Sequence, residues 1–448
     1  MNQTGIEVCA VGGYEHVGGN MTAIRIDDKV IICDMGINLE PYTQFNELED
    51  VTKVKVSELI KIKAVPDPSV IDDWKKKVVA IVTTHAHLDH MGAIPFLSNE
   101  YRAPIICTPY TKEVISAIIK DENIRLKNRL VALNPNSKMA LGSDLTIEFI
   151  HMTHSVPQTV MIAFHTKYGI IVYANDFKFD RTPVLGKEAN LDRLRELGQT
   201  GNVLLLICES TYAALAAKTP SEAVAKEMLK DVMLTMDSSG KAVVVSTFSS
   251  HIARLKSIVE LGGQMKRKIV FLGRSLAKYT RAAENLNLVK FSDSVEIVKY
   301  SSKVQRKLKQ IMKDGKENYL LVVTGHQGEP NSVLTKMVTQ KYGFVFGHED
   351  HVIFSCKVIP AEINIRNREH LESQLSALNV RMFKDIHVSG HAAREELRDL
   401  IKMLVPKNII PAHGEPKMRE ALADLAHQMG YDNEHVFVMQ NGERIIVH

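Results

Sequence analysis

Over the first part of the chain, apolar residues fall in short runs separated by polar and turn-forming positions. Residues 6–11, 22–26, 30–33, 78–83 and 105–108 each read as a strand. Residues 160–165 and 169–173, joined through Lys167-Tyr168, read as a hairpin. Helical spacing interrupts the pattern, as over 112–119. The pattern predicts a β-rich α/β layout in which strands adjacent in sequence pair.

From about Ser210 the pattern changes. Thr219-Pro220-Ser221-Glu222 resembles a capping box with proline in the first turn, and predicts a helix start. Strand and helix then alternate: residues 242–246 with a helix after Ser249, 269–272 with a helix after Ser275, and 320–323 with a helix after Asn331. Apolar strands each followed by a helix predict a parallel sheet over roughly 210–365. The tail predicts two further strand–helix pairs, 386–388 with a helix after Ala392 and 409–411 with a helix after Glu415. The expected division is 1–209, 210–365 and 366–448. This suits a chain of 448 residues at about 150 residues per domain, or one large core with an insertion.

A content of 45% apolar and 24% charged residues excludes a disordered or fibrous chain. No apolar run approaches the roughly 20 residues that cross a bilayer. The opening residues lack the pattern of a secretion signal, so a cytoplasmic protein is expected. Lys and Arg number 56 against 52 Asp and Glu, a net charge of +4 that permits an anionic partner without requiring one. Two basic stretches stand out: 40–77, with Lys53, Lys55, Lys61, Lys63 and Lys75 to Lys77, and 303–313, with Arg306, Lys307, Lys309 and Lys313. Each reads as a solvated face or, alternatively, as a contact for a polyanion. The five cysteines are scattered singly, which is neither a disulfide framework nor a cysteine metal site. Buried thiols are expected.

Histidine placement adds chemistry. The run 78–84 is followed directly by His85-Ala86-His87-Leu88-Asp89-His90. Imidazoles and a carboxylate are ligands for zinc-like ions. Ligands this dense cannot all face one ion from a regular helix or strand, but a sharp turn at a strand end could aim them at two adjacent ions. A polar surface loop is the alternative, disfavoured directly after a buried strand.

His85-x-His87-x-Asp89-His90 resembles the HxHxDH motif of the metallo-β-lactamase superfamily. Asp34, His154 and Asp176 stand in the order and local settings of that superfamily's first, third and fourth motifs. Alone, each would be an ordinary turn or cap residue. The resemblance implies that His85, His87 and His154 hold one metal, that Asp89 and His90 contribute to a second, and that Asp176 bridges both. It leaves one ligand to be supplied from further along, and His413 suits. Asp34 is expected to orient ligands rather than bind. Two ions can lower the pKa of a bridging water and clamp the oxygens of an in-line displacement. That chemistry suits phosphodiesters, but also lactones and thioesters.

The insertion narrows the choice. It resembles the β-CASP nucleases, with Glu209, His391 and His413 in the settings of their motifs A, B and C. Thr324-Gly325-His326-Gln327-Gly328-Glu329-Pro330 and His387-Val388-Ser389-Gly390-His391-Ala392 are most similar to the ribonuclease J family, in particular its shorter archaeal members. His326 departs from the family pattern, where serine is expected, and so does His16.

This resemblance implies an αββα metallo-β-lactamase sandwich with an inserted parallel α/β β-CASP domain. It also implies a ribonuclease acting 5′→3′, preferring 5′-monophosphate ends. The implied catalytic residues are His391, Glu209, Asp89 and Asp34. Ser249, Ser250, Ser389, Gly390, His391 and Ala392 would form the 5′-phosphate site. Two divalent ions are expected, zinc first and manganese or magnesium as alternatives. Expected partners are single-stranded RNA and a second copy in a homodimer, with no membrane. The alternatives are an endonuclease that processes RNA 3′ ends, a small-molecule hydrolase and a silent RNA-binding subunit.

Overall fold

The computed structural model describes residues 5–48 and 55–448, so Lys53 of the first basic stretch lies outside the described residues. The chain forms two compact units. The first comprises Met1–Arg181, Glu188–Thr219 and Gly390–His448, and the second Thr182–Lys187 and Pro220–Ser389.

The first unit opens with β1 (Ile6–Gly12), β2 (Met21–Ile26), β3 (Lys29–Cys33), β4 (Val78–Val82), β5 (Ile105–Cys107) and β6 (Leu130–Ala132). It continues with β7 (Ser137–Ala140), β8 (Leu145–His151), β9 (Val160–Thr166), β10 (Gly169–Ala174) and β11 (Val203–Glu209). The second unit contributes β12 (Val243–Ser246), β13 (Lys268–Leu272), β14 (Val295–Val298), β15 (Tyr319–Val323), β16 (His351–Phe354) and β17 (Arg381–Phe383). The chain then returns to the first unit with β18 (Asn408–Ala412) and β19 (Arg444–Val447).

Two sheets face each other in the first unit, ordered β19-β1-β2-β3-β4-β5-β6 and β18-β11-β10-β9-β8-β7. Between them lies an apolar layer that includes Val8, Ile24, Ile31 and Val82 from one sheet and Phe149, Ile162, Phe164 and Ile207 from the other. Alternate residues of β9 point the other way. Met161 and Ala163 pack under helices Leu191–Gln199, Arg394–Leu404 and Pro416–Gln428, with Leu194, Leu397 and Leu422. Both faces of this sheet are therefore covered, which is why its strands read as unbroken apolar runs rather than alternating ones.

Register decides what leaves the strand ends together. β3 and β4 are parallel with Cys33 opposite Val82, so Asp34 and the turn that carries His85 emerge side by side. β10, β11 and β18 are parallel, with Ala174 opposite Cys208 and Glu209 opposite Ala412. Asp176, Glu209 and His413 thus leave one edge.

The second unit is an all-parallel sheet in the order β14-β13-β15-β12-β16-β17. Its interior holds a fully buried Arg254. The guanidinium meets both oxygens of Glu222, at 2.5 and 2.9 Å, and donates to the carbonyls of Ser355 (3.0 Å) and Ile386 (3.1 Å).

Two sequence expectations change here. Ser221, not a Thr219 box, caps helix Glu222–Lys230 by accepting from the Ala223 amide, because Glu222 turns inward to Arg254. Residues 386–388 are not a strand. β16 pairs with 381–383 instead, and the Ile386 carbonyl is taken by Arg254 and the Ser355 hydroxyl. All five cysteines are buried free thiols. Among the described residues, no helix is long and apolar enough to cross a membrane.

Candidate metal centre

At the ends of β3, β4, β10 and β18, the chain reverses through Asp34, His85 to His90, Asp176 and His413. Three of these residues adopt left-handed backbone: Asp34 (φ 59°), Asp176 (φ 52°) and His413 (φ 48°). Such non-glycine conformations carry a cost of order 1–3 kcal/mol each and cluster at functional sites. Gly36 lets this corner close: a Cβ there would lie 1.6 Å from the Asp89 carbonyl oxygen.

Two donor sets meet at one carboxylate. His85, His87, His154 and Asp176 present ligand atoms within 4.8 Å of one another, and so do Asp89, His90, His413 and Asp176. Asp176 Oδ2 lies 3.4 Å from His85 Nε2 and 3.6 Å from His154 Nε2. Asp176 Oδ1 lies 3.2 Å from both His90 Nε2 and His413 Nε2. His87 Nδ1 sits 3.1 Å from His85 Nε2 and 3.2 Å from His154 Nε2. A tetrahedral shell with bonds of about 2.0–2.2 Å has ligand-to-ligand edges of about 3.3–3.6 Å. The spacings around Asp176 Oδ2 fall in that range, and those around Asp176 Oδ1 and His87 Nδ1 lie 0.1–0.2 Å below it. Neither Asp176 Oδ1 nor His413 Nε2 has a hydrogen-bond partner despite full burial, which suits atoms aimed at a cation rather than at each other.

The far side of each ring sets its tautomer. His90 Nδ1 donates to Asp34 Oδ2 (2.8 Å), His154 Nδ1 to the Gly390 carbonyl (2.7 Å) and His413 Nδ1 to Asn20 Oδ1 (2.8 Å). Each leaves Nε2 as a lone pair facing Asp176. Asp34 is itself held by the Thr84 amide (2.8 Å) and the Tyr173 hydroxyl (3.2 Å). Gly390 has to be small: a Cβ would meet the His154 ring at 2.8 Å.

Electrostatics agree for His87, His154 and His413, whose pKa values burial lowers. They do not for His90, where burial is overcome by the Asp176, Asp89 and Asp34 carboxylates, which raise its pKa well above the usual value. Burial, reinforced by His85, pushes the His87 pKa well below its usual value, and burial with His87 does the same to His154. Both rings stay neutral and keep their lone pairs. Burial alone would raise the Asp176 pKa, but His413, His90 and His391 outweigh it and hold the carboxyl ionised.

His391 stands beside these sets, its Nε2 4.0 Å from Asp176 Oδ2 and its Nδ1 2.7 Å from Glu209 Oε2. Glu209 is fully buried and accepts from the Phe177 amide (2.8 Å) and the Thr211 hydroxyl (3.0 Å). Burial works against a proton on His391. The Glu209 and Asp176 carboxylates overcome it and raise the pKa to about 10.

All these residues, with Gly390 and Ala392, belong to the first unit. Ser249, Ser250 and Ser389 belong to the second, where Ser249 Oγ lies 3.2 Å from Ser275 Oγ. Asn20, Thr84 and Tyr173 are site residues that sequence reading missed. The Gly18-Gly19-Asn20 turn was the one available signal for Asn20, and nothing local marks Tyr173.

Comparison with known proteins gives the same picture along the chain. Residues 57–187 match the beta-lactamase superfamily domain, 240–369 the "Ribonuclease J, beta-CASP domain" family, and 377–439 the "Zn-dependent metallo-hydrolase RNA specificity domain" family. The chain is 42% identical to Ribonuclease J of Methanocaldococcus jannaschii, covering 98% of both proteins. It is 43% identical to Ribonuclease J of Pyrococcus abyssi, covering 98% of this chain and 96% of that one. It is 30% identical to Ribonuclease J of Helicobacter pylori, spanning all of this chain and 61% of that longer one. A solved Enterococcus faecalis protein of unknown function shares the fold, with TM-score 0.65 at 16% identity over 99% of this chain and all of that one. With its paired donor sets, its parallel insertion and full-length likeness to archaeal relatives, the chain belongs to the ribonuclease J family, metal-dependent ribonucleases built on a metallo-β-lactamase core with an inserted β-CASP domain.

Proposed function

We propose that the chain is a two-ion nuclease that degrades RNA 5′→3′ and prefers 5′-monophosphate ends. His85, His87, His154 and Asp176 would hold one ion, and Asp89, His90, His413 and Asp176 the other. The observation that carries this reading is the orientation of Asp176, whose two oxygens face two separate imidazole sets. Zinc suits the mixed histidine and carboxylate donors best, with manganese or magnesium as alternatives. When bound, such ions supply Lewis acidity and an activated water for in-line displacement at phosphorus.

The chain's own groups do the rest. Asp34 orients His90. Glu209 holds His391 in its protonated form, ready to neutralise charge on the phosphate or to protonate the leaving oxygen. For the terminal phosphate we propose Ser249, Ser250, Ser389, Gly390, His391 and Ala392. The support is their resemblance to ribonuclease J segments. In addition, Ser249 and Ser250 precede helix Ile252–Gln264, whose opening amides favour an anion.

The test uses 5′-labelled and 3′-labelled RNA carrying a 5′-monophosphate or a 5′-triphosphate, with and without chelator. Labelled mononucleotide released from the 5′-labelled monophosphate RNA, stopped by chelator and slowed by a triphosphate, is the expected result. Internal fragments formed regardless of the 5′ group would favour the 3′-end-processing endonuclease and remove the phosphate assignment.

Glu209→Gln gives a second expected outcome. Loss of the carboxylate lowers the His391 pKa, so the protonated ring is lost at lower pH. The basic limb of the kcat/KM profile moves down by about 1–3 pH units, and activity above neutrality falls most. An unmoved limb would show that His391 does not act through Glu209.

A further inference from the structure

Tyr300 follows edge strand β14 and caps helix Ser301–Asp314, with 52% of its surface exposed. Its ring carries two cations, Lys299 Nζ at 5.4 Å and Lys303 Nζ at 5.8 Å from the centroid. Lys299, Lys303, Arg306, Lys307, Lys309 and Lys313 follow one another with no acidic residue between them. Lys307 turns back to Glu296, whereas Lys303, Arg306, Lys309 and Lys313 are exposed. The segment after β15 adds to the group. The Tyr342 hydroxyl meets Ser301 Oγ at 2.5 Å, and Gln305 Nε2 donates to the Lys341 carbonyl at 3.2 Å. These bonds bring exposed Lys341, and Lys336 against the Tyr342 ring, to the same helical turn.

Lys313 in the last turn suits the helix dipole, but the basic start of the helix does not. Cations in a first turn oppose the helix dipole, and this turn has neither an acidic residue nor a side-chain cap. An exposed tyrosine flanked by cations instead matches the way single-stranded nucleic acids are held, with a base stacked on the ring and phosphates on the cations.

Placement supports the same partner. In a parallel sheet all carboxyl ends lie on one side, where ligands of open α/β sheets gather. Tyr300 after β14 shares that edge with Arg274 after β13, His326 after β15, and Phe248 and Ser249 after β12. The Phe248 and His326 rings meet edge to face at 4.2 Å, a second aromatic position on the edge. Three strand spacings, about 14 Å, separate β14 from β12.

We propose that Tyr300, with Lys299, Lys303, Arg306 and Lys341, is a docking platform for a single-stranded RNA segment, with one base stacked on the Tyr300 ring. The platform rests on the RNA reading above. The test measures binding of a fluorescent single-stranded RNA of about 20 nucleotides to the full chain across a salt series. Tyr300→Ala should weaken binding about 5- to 150-fold, the loss of one stacked base, and Tyr300→Phe should bind like the parent. Lys303→Ala with Arg306→Ala should flatten the slope of log K against log salt by about 1.4, two phosphate contacts on a single strand.

If the parent binds and degrades RNA while every variant keeps its affinity and salt slope, the platform falls and the nuclease reading stands. If polyglutamate displaces the RNA at equal charge and Tyr300→Ala changes nothing, the patch takes acidic polymers in general and the proposal is overturned. If the parent binds no RNA, both readings fall together.

Discussion

Asp176→Ala is expected to abolish RNA cleavage, by about 10,000-fold or more. Asp176 is common to three groups of potential ligands: with His85, His87 and His154, with Asp89, His90 and His413, and with Glu209 and His391. One substitution therefore removes a donor from both proposed ion sites and a charge that supports the proton on His391. Lewis-acid stabilisation of the reacting phosphate is worth several kcal/mol, which sets the size of the loss. The fold should survive, because Asp176 Oδ1 makes no hydrogen bond that stabilises the chain. Single-turnover cleavage of end-labelled RNA, with metal content measured on the same sample, checks both halves. Activity within tenfold of the parent, with full metal content, would remove Asp176 from the bridging role.

Arg254→Met is expected to destabilise the second unit by about 3–5 kcal/mol, because it strands a buried carboxylate. Glu222 would lose both guanidinium bonds, and the carbonyls of Ser355 and Ile386 would lose a donor. Replacing both partners with apolar residues, Arg254→Met with Glu222→Leu, should recover much of the loss.

The pair also predicts a pH dependence. Burial alone would raise the Glu222 pKa, but His251 and Arg254 outweigh it and hold the carboxyl well below its usual range. A depressed folded pKa stabilises above the unfolded value of about 4.3, and that stability is lost as pH falls towards the folded pKa. Urea unfolding near neutrality and below about pH 4 should show the parent losing this increment on acidification. Glu222→Gln should show none of that loss. An Arg254→Met chain as stable as the parent would show that the pair is not needed.

Arg254 also ties the chain after β16 and β17 to the helix that follows Ser249 and Ser250. A slackened Arg254 would therefore disturb the edge that carries the proposed phosphate serines.

Much of the fold is written locally. The hairpin of β9 and β10, the strands β1 to β5, and the strand–helix alternation of the second unit follow from unbroken apolar runs between turn residues. These periodicities need no knowledge of the partner strand. The misreadings came where a distant group changed a local preference. Glu222 reads as a capping residue, yet a buried arginine 32 positions away claims it. Residues 386–388 read as a strand, yet the Ile386 carbonyl bonds to Arg254, 132 positions away.

The site divides in the same way. His85, His87, Asp89 and His90 stand within one turn, so spacing alone exposes them as potential ligands. His154, Asp176 and His413 needed the resemblance to a family, because nothing local joins them to that turn. How each ring is aimed depends on contacts made across the fold. Asn20 fixes His413 from 393 positions away, and Gly390 fixes His154 from 236. Residue identity and local periodicity are enough to say which ligand types are present and which strand ends carry them. Parallel register between strands far apart in the chain decided that Asp176 has one oxygen facing each set. That is a long-range packing result, which no window of sequence contains.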